Sequence, residues 1–239
     1  MTADWIEMSE THGAQPGDPP PSLPLLTHLE TLGATEWLRT SLTTFGRSVA
    51  SFLPGKFSAY ARVFHPFDNG GASPIAASTW RELAALAGRD VHDAIAMGEF
   101  ALYGVANAQA RIGSAPLSVT EVLVERLRPA TRTPDECFFA VWEGFGGSLV
   151  PPTLQPKLEL PYRAYDVFAG PLDAARTSYH AWPFHHQSAN LWWPADHAWC
   201  VATEVDHAWT YVGGPHGCID ALLADSRLEA VETTALAWW

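Results

Sequence analysis

The sequence predicts an α+β fold, in which helices pack on a mixed or mainly antiparallel sheet. From Cys200 to Val205 the side chains alternate with the two-residue period of a strand that has two distinct faces. Residues 209–212 form a second strand-like segment, and only residues 206–208 separate the two, which favours an antiparallel hairpin. Helical and strand patterns interleave without regular βαβ spacing, so a doubly wound parallel sheet is disfavoured.

The composition suits one domain preceded by a leader. The chain has 239 residues, 47% of them hydrophobic, which is ample material for a core. Residues 13–24 combine glycine with a run of prolines that neither a helix nor a central strand accepts. We therefore predict a flexible leader over residues 1–24 and a single α+β domain over residues 25–239.

The first half of the chain predicts, in order, a helix over residues 25–42, a strand over residues 57–67 and a helix after Thr79. Thr79 and Glu82 have the spacing of a capping box, in which two side chains bind exposed amides of the first helical turn. We expect that helix to end at Gly88. The Ala- and Gly-rich residues 72–116 are interpreted as short helices over one face of the sheet.

A second capping box predicts a helix that starts at Ser118, with Glu121 as its partner and Leu117 and Val122 as a hydrophobic staple. Pro129 ends it. The buried stripe of this helix is expected to consist of Val119, Val122, Leu123 and Leu127.

The second half predicts further strands over residues 137–142 and 162–168, ahead of the Trp-rich hairpin. After the hairpin, Pro215 opens a helix whose inward residues are Ile219, Leu222 and Leu223. Residues 228–231 return as a short edge strand.

Charge and cysteine usage exclude several classes of partner. The net charge is −12 with 14 basic residues, and a nucleic-acid partner would need clustered Lys and Arg. Apolar stretches are far shorter than the roughly 20 residues of a membrane span, and the N-terminus lacks a secretory signal. Three cysteines are too few for a disulfide framework, so we predict a cytoplasmic protein with reduced thiols and no cofactor.

Three blocks of the sequence resemble a family of uncharacterised actinobacterial proteins. LWWPADHAWCVATEVD, followed by TYVGG, has the WWP-D-AW-VATE-D-TYVGG pattern of that family. FLPGKFSAYARVFHPF and TPDECFFAVWEGFG match the same family in the same order. The blocks cover roughly residues 51–229, and the resemblance implies a family without an established activity.

The chain departs from the family pattern at two positions. Ala189 stands where those proteins tend to have Pro, and His197 where they tend to have Arg, so the family's residue is missing at both. A looser likeness in element order, and in a few Trp and Gly positions, links the chain to SUKH-type immunity proteins. Those are α+β binding domains that neutralise toxins, so this likeness implies a protein partner.

Isolated charges interrupt the apolar strand segments at Arg62, Glu143, Asp166 and Glu204. A buried charge needs a partner, because desolvation disfavours it when unpaired. If Arg62 meets Glu143 or Glu204 across neighbouring strands, the result is a polar cluster lined by aromatic rings. Three interpretations stay open: charges on a solvated face, a structural ion pair, or a ligand-binding or catalytic cluster.

The histidines predict no metal site. His180, His185 and His186 lie in a Pro-containing loop without metal-ligand spacing, although Glu204 or Asp206 could supply a carboxylate ligand. We interpret them as exposed loop residues. His65 is interpreted as a hydrogen-bonding residue at a strand end, with a general base as the alternative.

Trp192 and Trp193 suggest a binding surface. Consecutive residues of a strand face opposite sides, so one ring can enter the core while the other caps a cleft; burial of both is the alternative. With Gln187, Asn190 and Tyr211, these rings would suit an uncharged or planar ligand, or a protein partner. Gly213 and Gly214 precede a helix, as in anion sites, but a tight turn explains them better.

Two functional hypotheses follow. The first is a binding or interaction protein, with immunity as one form, whose acidic surface and aromatic residues engage a protein or a small molecule. The second is a small-molecule enzyme, for instance in specialised metabolism, with Glu204, Glu143, Asp206 or His65 in acid–base roles. No nucleophile, cofactor or metal motif supports the second, so the first is preferred.

Overall fold

In the part of the chain that the structure describes, antiparallel pairing connects nine strands into one open sheet. The computed structural model describes residue 23 and residues 25–43, 48–67, 79–103, 110–150, 155–161, 163–182 and 185–238. The order of strands is β1-β5-β3-β6-β7-β8-β2-β9, and β4 also pairs with β5. The strands are β1 (Thr27–His28), β2 (Ala59–Phe64), β3 (Cys137–Trp142), β4 (Leu158–Leu160), β5 (Arg163–Gly170), β6 (Leu191–Pro194), β7 (Cys200–Ala202), β8 (Trp209–Gly214) and β9 (Glu229–Thr233).

Five α-helices are described, and they cover both faces of this sheet. They are α1 (Glu36–Ser41), α2 (Trp80–Leu86), α3 (Ala94–Tyr103), α4 (Leu117–Leu127) and α5 (His216–Leu223). On one face, α1, α2 and α3 pack on a core that contains Phe64, Trp193 and Trp209. On the opposite face, α4 and α5 pack on a core that contains Phe139 and Trp192.

Two-sided burial explains why the central strands are apolar at almost every position, with Arg62 in β2 and Thr210 in β8 as the exceptions. All six residues of β2 and of β8 are buried, and so are the first five of β3. An antiparallel sheet with one wet face would alternate apolar and polar residues instead. The predicted α+β class, with a mainly antiparallel sheet and helices packed on it, is confirmed.

Several elements are confirmed at or near their predicted bounds. The strand at 137–142 is observed with those bounds, and β2, β5 and the edge strand β9 differ from the predictions by a few residues. The capping box at Thr79 is formed, α2 ends at Leu86, and Gly88 follows in the left-handed region at φ 65°. The predicted stripe of α4 is buried, as are Ile219 and Leu222 of α5, whereas Leu223 is only partly buried.

Three local predictions are wrong in part. Residues 25–42 are not one helix, because they begin with β1 and only 36–41 are α-helical. The helix α4 starts at Leu117 with Pro116 as its N-cap, so Ser118 lies inside the first turn and makes no capping bond. The hairpin of β7 and β8 is antiparallel, but its loop spans residues 203–208, since β7 ends at Ala202.

The predicted leader, residues 1–24, lies outside the described residues except for Leu23. Among the described residues, no helix has the length and apolar character needed to cross a membrane.

The two helix starts provide a matched test of capping. Thr79→Ala removes the hydroxyl that accepts the Glu82 amide, so we expect a loss of about 1 kcal/mol in the free energy of unfolding. Ser118→Ala removes no capping bond and should cost less than about 0.5 kcal/mol. Urea unfolding of both variants measures the difference. Equal losses would contradict the assigned start of α4.

Candidate functional site

Two of the predicted catalytic carboxylates meet Arg163, just beyond the end of β7. The Arg163 guanidinium forms a short ion pair with Glu204 and donates to Asp206 Oδ2 at 3.2 Å. The Asp206 backbone N–H donates to Glu204 Oε2 at 2.6 Å. Arg163 also lies 5.2 Å from the ring centre of Trp142. Burial raises the pKa of Glu204, and the amide of Asp206 and the charge of Arg163 oppose that rise.

The predicted pairing of Arg62 with Glu143 or Glu204 is wrong. Arg62 lies in the middle of β2 opposite Tyr211, whereas Glu204 lies beyond the end of β7 and binds Arg163. The Arg62 guanidinium donates to Val91 O at 2.9 Å and stacks near Phe64 and Trp209, with ring-centre distances of 5.0 and 5.3 Å. A backbone carbonyl and aromatic faces therefore take the place of the expected carboxylate.

Glu143 lies in a separate cluster at the outer edge of the sheet. Its carboxylate accepts from Lys157 Nζ at 2.8 Å, and Lys157 also lies 3.3 Å from the buried Asp166. His28 of β1 lies 3.2 Å from the other oxygen of Asp166 and stacks on Phe168. Arg163 and Asp166 are three residues apart on β5, so their side chains point to opposite faces of the sheet. The cluster around Asp166 and the cluster around Arg163 therefore lie on opposite faces.

His65 lies fully buried at the end of β2, as the hydrogen-bonding interpretation predicts. Its Nδ1 lies 2.6 Å from Arg111 O, and its Nε2 lies 3.0 Å from the hydroxyl of Thr210. That hydroxyl is 2.8 Å from the hydroxyl of Thr203. Burial lowers the pKa of His65 to about 4, so the imidazole is neutral near pH 7 and both nitrogens are engaged.

His207 is an internal polar residue that the sequence reasoning missed. It is buried in the loop between β7 and β8, with its ring 4.6 Å from that of Trp209. Burial, together with the charges of Arg62 and Arg163, lowers the pKa of His207 to about 3. The sequence signal for the burial of His207 was the apolar pair Ala208 and Trp209 that follows it, since this pair marks the start of a buried strand.

The residues predicted to bind a ligand are instead internal. Trp192 and Trp193 are both buried, on opposite faces of the sheet, so neither ring caps a cleft. Asn190 accepts from the Trp142 amide and donates to Thr203 O, which joins β3 to the end of β7. Gln187 donates to Ser188 O at 3.1 Å. Tyr211 is buried beside Arg62, and burial raises its pKa to about 12.

The remaining motifs are the loop histidines, Gly213 and the three cysteines. Among the described residues, no group of three His, Cys, Asp or Glu side chains could hold a metal ion. His180 and His185 contact each other at a ring distance of 4.4 Å.

Gly213 belongs to β8, where a Cβ atom would come within 2.5 Å of the Phe57 ring, so close packing requires glycine there. All three cysteines are free and buried, and burial raises the thiol pKa of each.

The sequence reasoning also missed a groove of about 460 Å³ on the surface. The start of α2, the start of α4 and the turn from α5 to β9 form its walls. It is lined by Phe64, Pro66, Phe67, Thr79, Trp80, Arg81, Ser118, Val119 and residues 223–230. These positions are spread over more than half the chain, so no local pattern could have indicated the groove. A second cavity of about 510 Å³ shares Ser118 and Arg227 with it.

Both carboxylates of the groove are engaged by the protein itself. Glu229 accepts the backbone amides of Trp80 and Arg81 at 2.8 and 2.7 Å and so caps α2 from across the sheet edge. Asp225 binds Arg126 and Arg227 at 2.7 and 2.8 Å. Hydrogen bonds from Arg227 hold the pKa of Asp225 well below its usual range. Both carboxylates are therefore held by hydrogen bonds within the protein.

No protein family, curated protein or solved structure matches the chain. The resemblance to the actinobacterial family, and the likeness to immunity proteins, stay predictions.

The ion pair of Arg163 and Glu204 should show strong energetic coupling. Arg163→Met strands a buried carboxylate, so we expect a loss of about 3–5 kcal/mol in the free energy of unfolding. Glu204→Gln should also destabilise, and the double variant should recover part of the loss. Chemical denaturation of the three variants measures the coupling energy.

The matched control is a second double-mutant cycle, which combines Glu204→Gln with a change at Arg62 and not at Arg163. Arg62→Met and Glu204→Gln should add within about 0.5 kcal/mol, since Arg62 has other partners. Strong coupling of Arg62 to Glu204, or none of Arg163, would refute the assigned pairs.

Buried neutral histidines should make the protein sensitive to mild acid. The pKa of His65 is about 4 in the folded chain, against 6.5 for an ordinary histidine, so unfolding takes up a proton between these limits. The contribution of His65 to the free energy of unfolding should be complete above that window and fall as the pH is lowered through it. Each proton contributes about 1.4 kcal/mol per pH unit.

We expect His65→Gln to reduce this slope and His216→Gln, at an exposed position, to leave it unchanged. Urea unfolding at about pH 7, 6 and 5 measures the slope, over the range in which an ordinary imidazole titrates. The same slope in His65→Gln as in the wild type would argue against a neutral His65.

Proposed function

We propose that the protein is a binding protein and that the groove between α2, α4 and the turn from α5 to β9 receives its ligand. One observation carries this proposal. The groove has the volume of a ligand site, within the usual range of about 300–1,000 Å³, yet its carboxylates are engaged by the protein. Such a surface can hold a ligand but offers no acid–base pair to transform it.

The residues nominated for catalysis support the same conclusion. Glu204 binds Arg163 and an amide, Glu143 binds Lys157, and His65 is fully buried. Asp206 is exposed, with 75% of its side chain accessible, but none of these four residues lines the groove. An acid–base enzyme needs such groups within hydrogen-bond reach of a substrate.

Immunity is one form of this proposal, with a toxin as the bound partner. The small-molecule enzyme is the competing function, and the experiment below separates the two. A binding protein retains its ligand unchanged, whereas an enzyme converts it.

The test fills the groove with a large side chain. Ser226 is exposed on the turn from α5 to β9, so Ser226→Trp should occupy the groove without disturbing the core. We expect the wild type to retain one or more compounds from a metabolite extract, and Ser226→Trp to retain at most about a tenth as much, the loss expected when about 1.4 kcal/mol is removed. Mass spectrometry of the retained fraction measures this.

Ala85→Trp is the control, because it adds the same bulk at an exposed position of α2 outside the groove. It should bind as the wild type does. Equal retention by Ser226→Trp would exclude the groove as the site. Conversion of a compound by the wild type, lost in Glu204→Gln under conditions where that variant is folded, would establish the enzyme instead.

A further inference from the structure

A short strap of irregular backbone lies across the end of β2 and the loop that precedes β8. The strap is residues 110–116, which lead into α4 and pair with the sheet only through a bridge of Ala110 to Phe67. Gly113 has φ 77°, and a Cβ atom there would lie 2.5 Å from Val205 O. The strap therefore packs directly on the backbone of the loop between β7 and β8.

The strap is hydrogen-bonded to three segments, and each contact is made at a histidine. These histidines are His65, His186 and His207. The Nδ1 atom of His65 lies 2.6 Å from Arg111 O. The Gly113 amide donates to the carbonyl of His207 at 2.9 Å, and the Ser114 hydroxyl donates to the carbonyl of His186 at 3.1 Å. The strap thus joins three segments that are far apart in the sequence.

The neutral form of His65 fits the contacts around it. A carbonyl can only accept, so Nδ1 carries the hydrogen that binds Arg111 O. Nε2 then accepts from the hydroxyl of Thr210 at 3.0 Å, and the hydroxyl of Thr203 donates to that of Thr210 at 2.8 Å. A protonated His65 would have to donate from Nε2. Both hydroxyls would then have to reverse in a site without solvent, since His65 and Thr210 are fully buried.

Positive charge surrounds the histidines that face the strap. Burial, together with the charge of Arg111, lowers the pKa of His65 and of His186 to about 4, although the hydrogen bond to Arg111 O opposes this at His65. Among the described residues, every other charged or titratable group that shifts the pKa of one of the three histidines is also a base. These groups are His185 beside His186, and Arg62, Arg163 and His65 around His207.

We infer that the strap is an acid-operated closure, which is held shut at neutral pH and opens when His65 and His186 take up protons. Protonation disrupts the hydrogen bonds of His65 and places new positive charge against Arg111 on the strap. Because the strap has no helix and only one bridge to the sheet, it should open while the rest of the sheet stays folded. Opening uncovers the buried end of β2. This inference does not depend on whether the groove binds a ligand.

The two pKa values set the pH window of the opening. Each histidine has a pKa of about 4 in the closed form, against 6.5 for an ordinary histidine. A lowered pKa means that its contribution to closure is complete above about pH 6.5 and is lost as the pH falls toward 4. Between pH 7 and pH 5, each histidine should raise the ratio of open to closed strap about twentyfold.

Amide hydrogen exchange, followed by mass spectrometry and corrected for the intrinsic effect of pH, tests the closure. Protection of residues 110–116 should fall at least about twentyfold between pH 7 and pH 5, as one released histidine requires. Residues 137–142, in the central strand β3, should keep their protection over the same range. That strand reports unfolding of the whole sheet, so it separates local opening from global loss of structure.

Glutamine variants identify the groups that titrate. His65→Gln keeps a donor and an acceptor but takes up no proton in this range, so it should remove about twentyfold of the pH effect. His186→Gln should remove a similar part. His216→Gln, at an exposed position outside the strap, is the control and should behave as the wild type does. Urea unfolding at pH 7 checks that each variant is folded.

Three results would overturn the inference. The first is equal protection of the strap at pH 7 and pH 5 in the wild type. The second is a loss of protection that is the same in residues 110–116 and 137–142, since acid would then unfold the whole sheet. The third is an unchanged pH effect in both His65→Gln and His186→Gln, because other groups would then drive the opening.

Discussion

Burial of the sheet on both faces is the constraint on which the rest of the structure depends. One face is covered by α1, α2 and α3, and the other by α4 and α5. A polar side chain on a central strand is therefore out of contact with solvent. Each such group must find a partner inside the protein or lose its charge. Arg62 finds a carbonyl and two aromatic rings, Glu204 finds Arg163, and His65 is neutral.

The same constraint explains why polar residues in strands are poor guides to function here. Arg62, Asn190 and Gln187 look like a binding set in the sequence, since polar groups among apolar ones are uncommon. In the fold they complete hydrogen bonds that the sheet and its loops require. The groove lies outside the sheet ends, where the ends of three elements leave the covering layer incomplete. Its polar residues are engaged as well, since Glu229 binds the amides of α2 and Asp225 binds Arg126 and Arg227.

Sequence patterns predicted the parts of the fold that have a local physical cause. The apolar run at 137–142 and the capping box at Thr79 are such parts, because burial and capping act over a few residues. The strands β1 and β4 have two and three residues, too few for a periodic signal. The partner of Glu204 was beyond prediction, because Arg163 belongs to another strand and reaches it across Trp142. The groove was beyond prediction for the same reason.

The pairing of β2 has a consequence for how the chain folds as it is made. Its two neighbours in the sheet are β8 and β9, and the Glu229 carboxylate that caps α2 is 149 residues away from Trp80. During synthesis, β2 and α2 therefore leave the ribosome long before the segments that complete them. The backbone of β2 stays unpaired until residues 209–233 have been synthesised. Such non-local pairing slows folding and exposes the nascent chain to aggregation. The segments from β8 onward thus decide when the first half of the protein can fold.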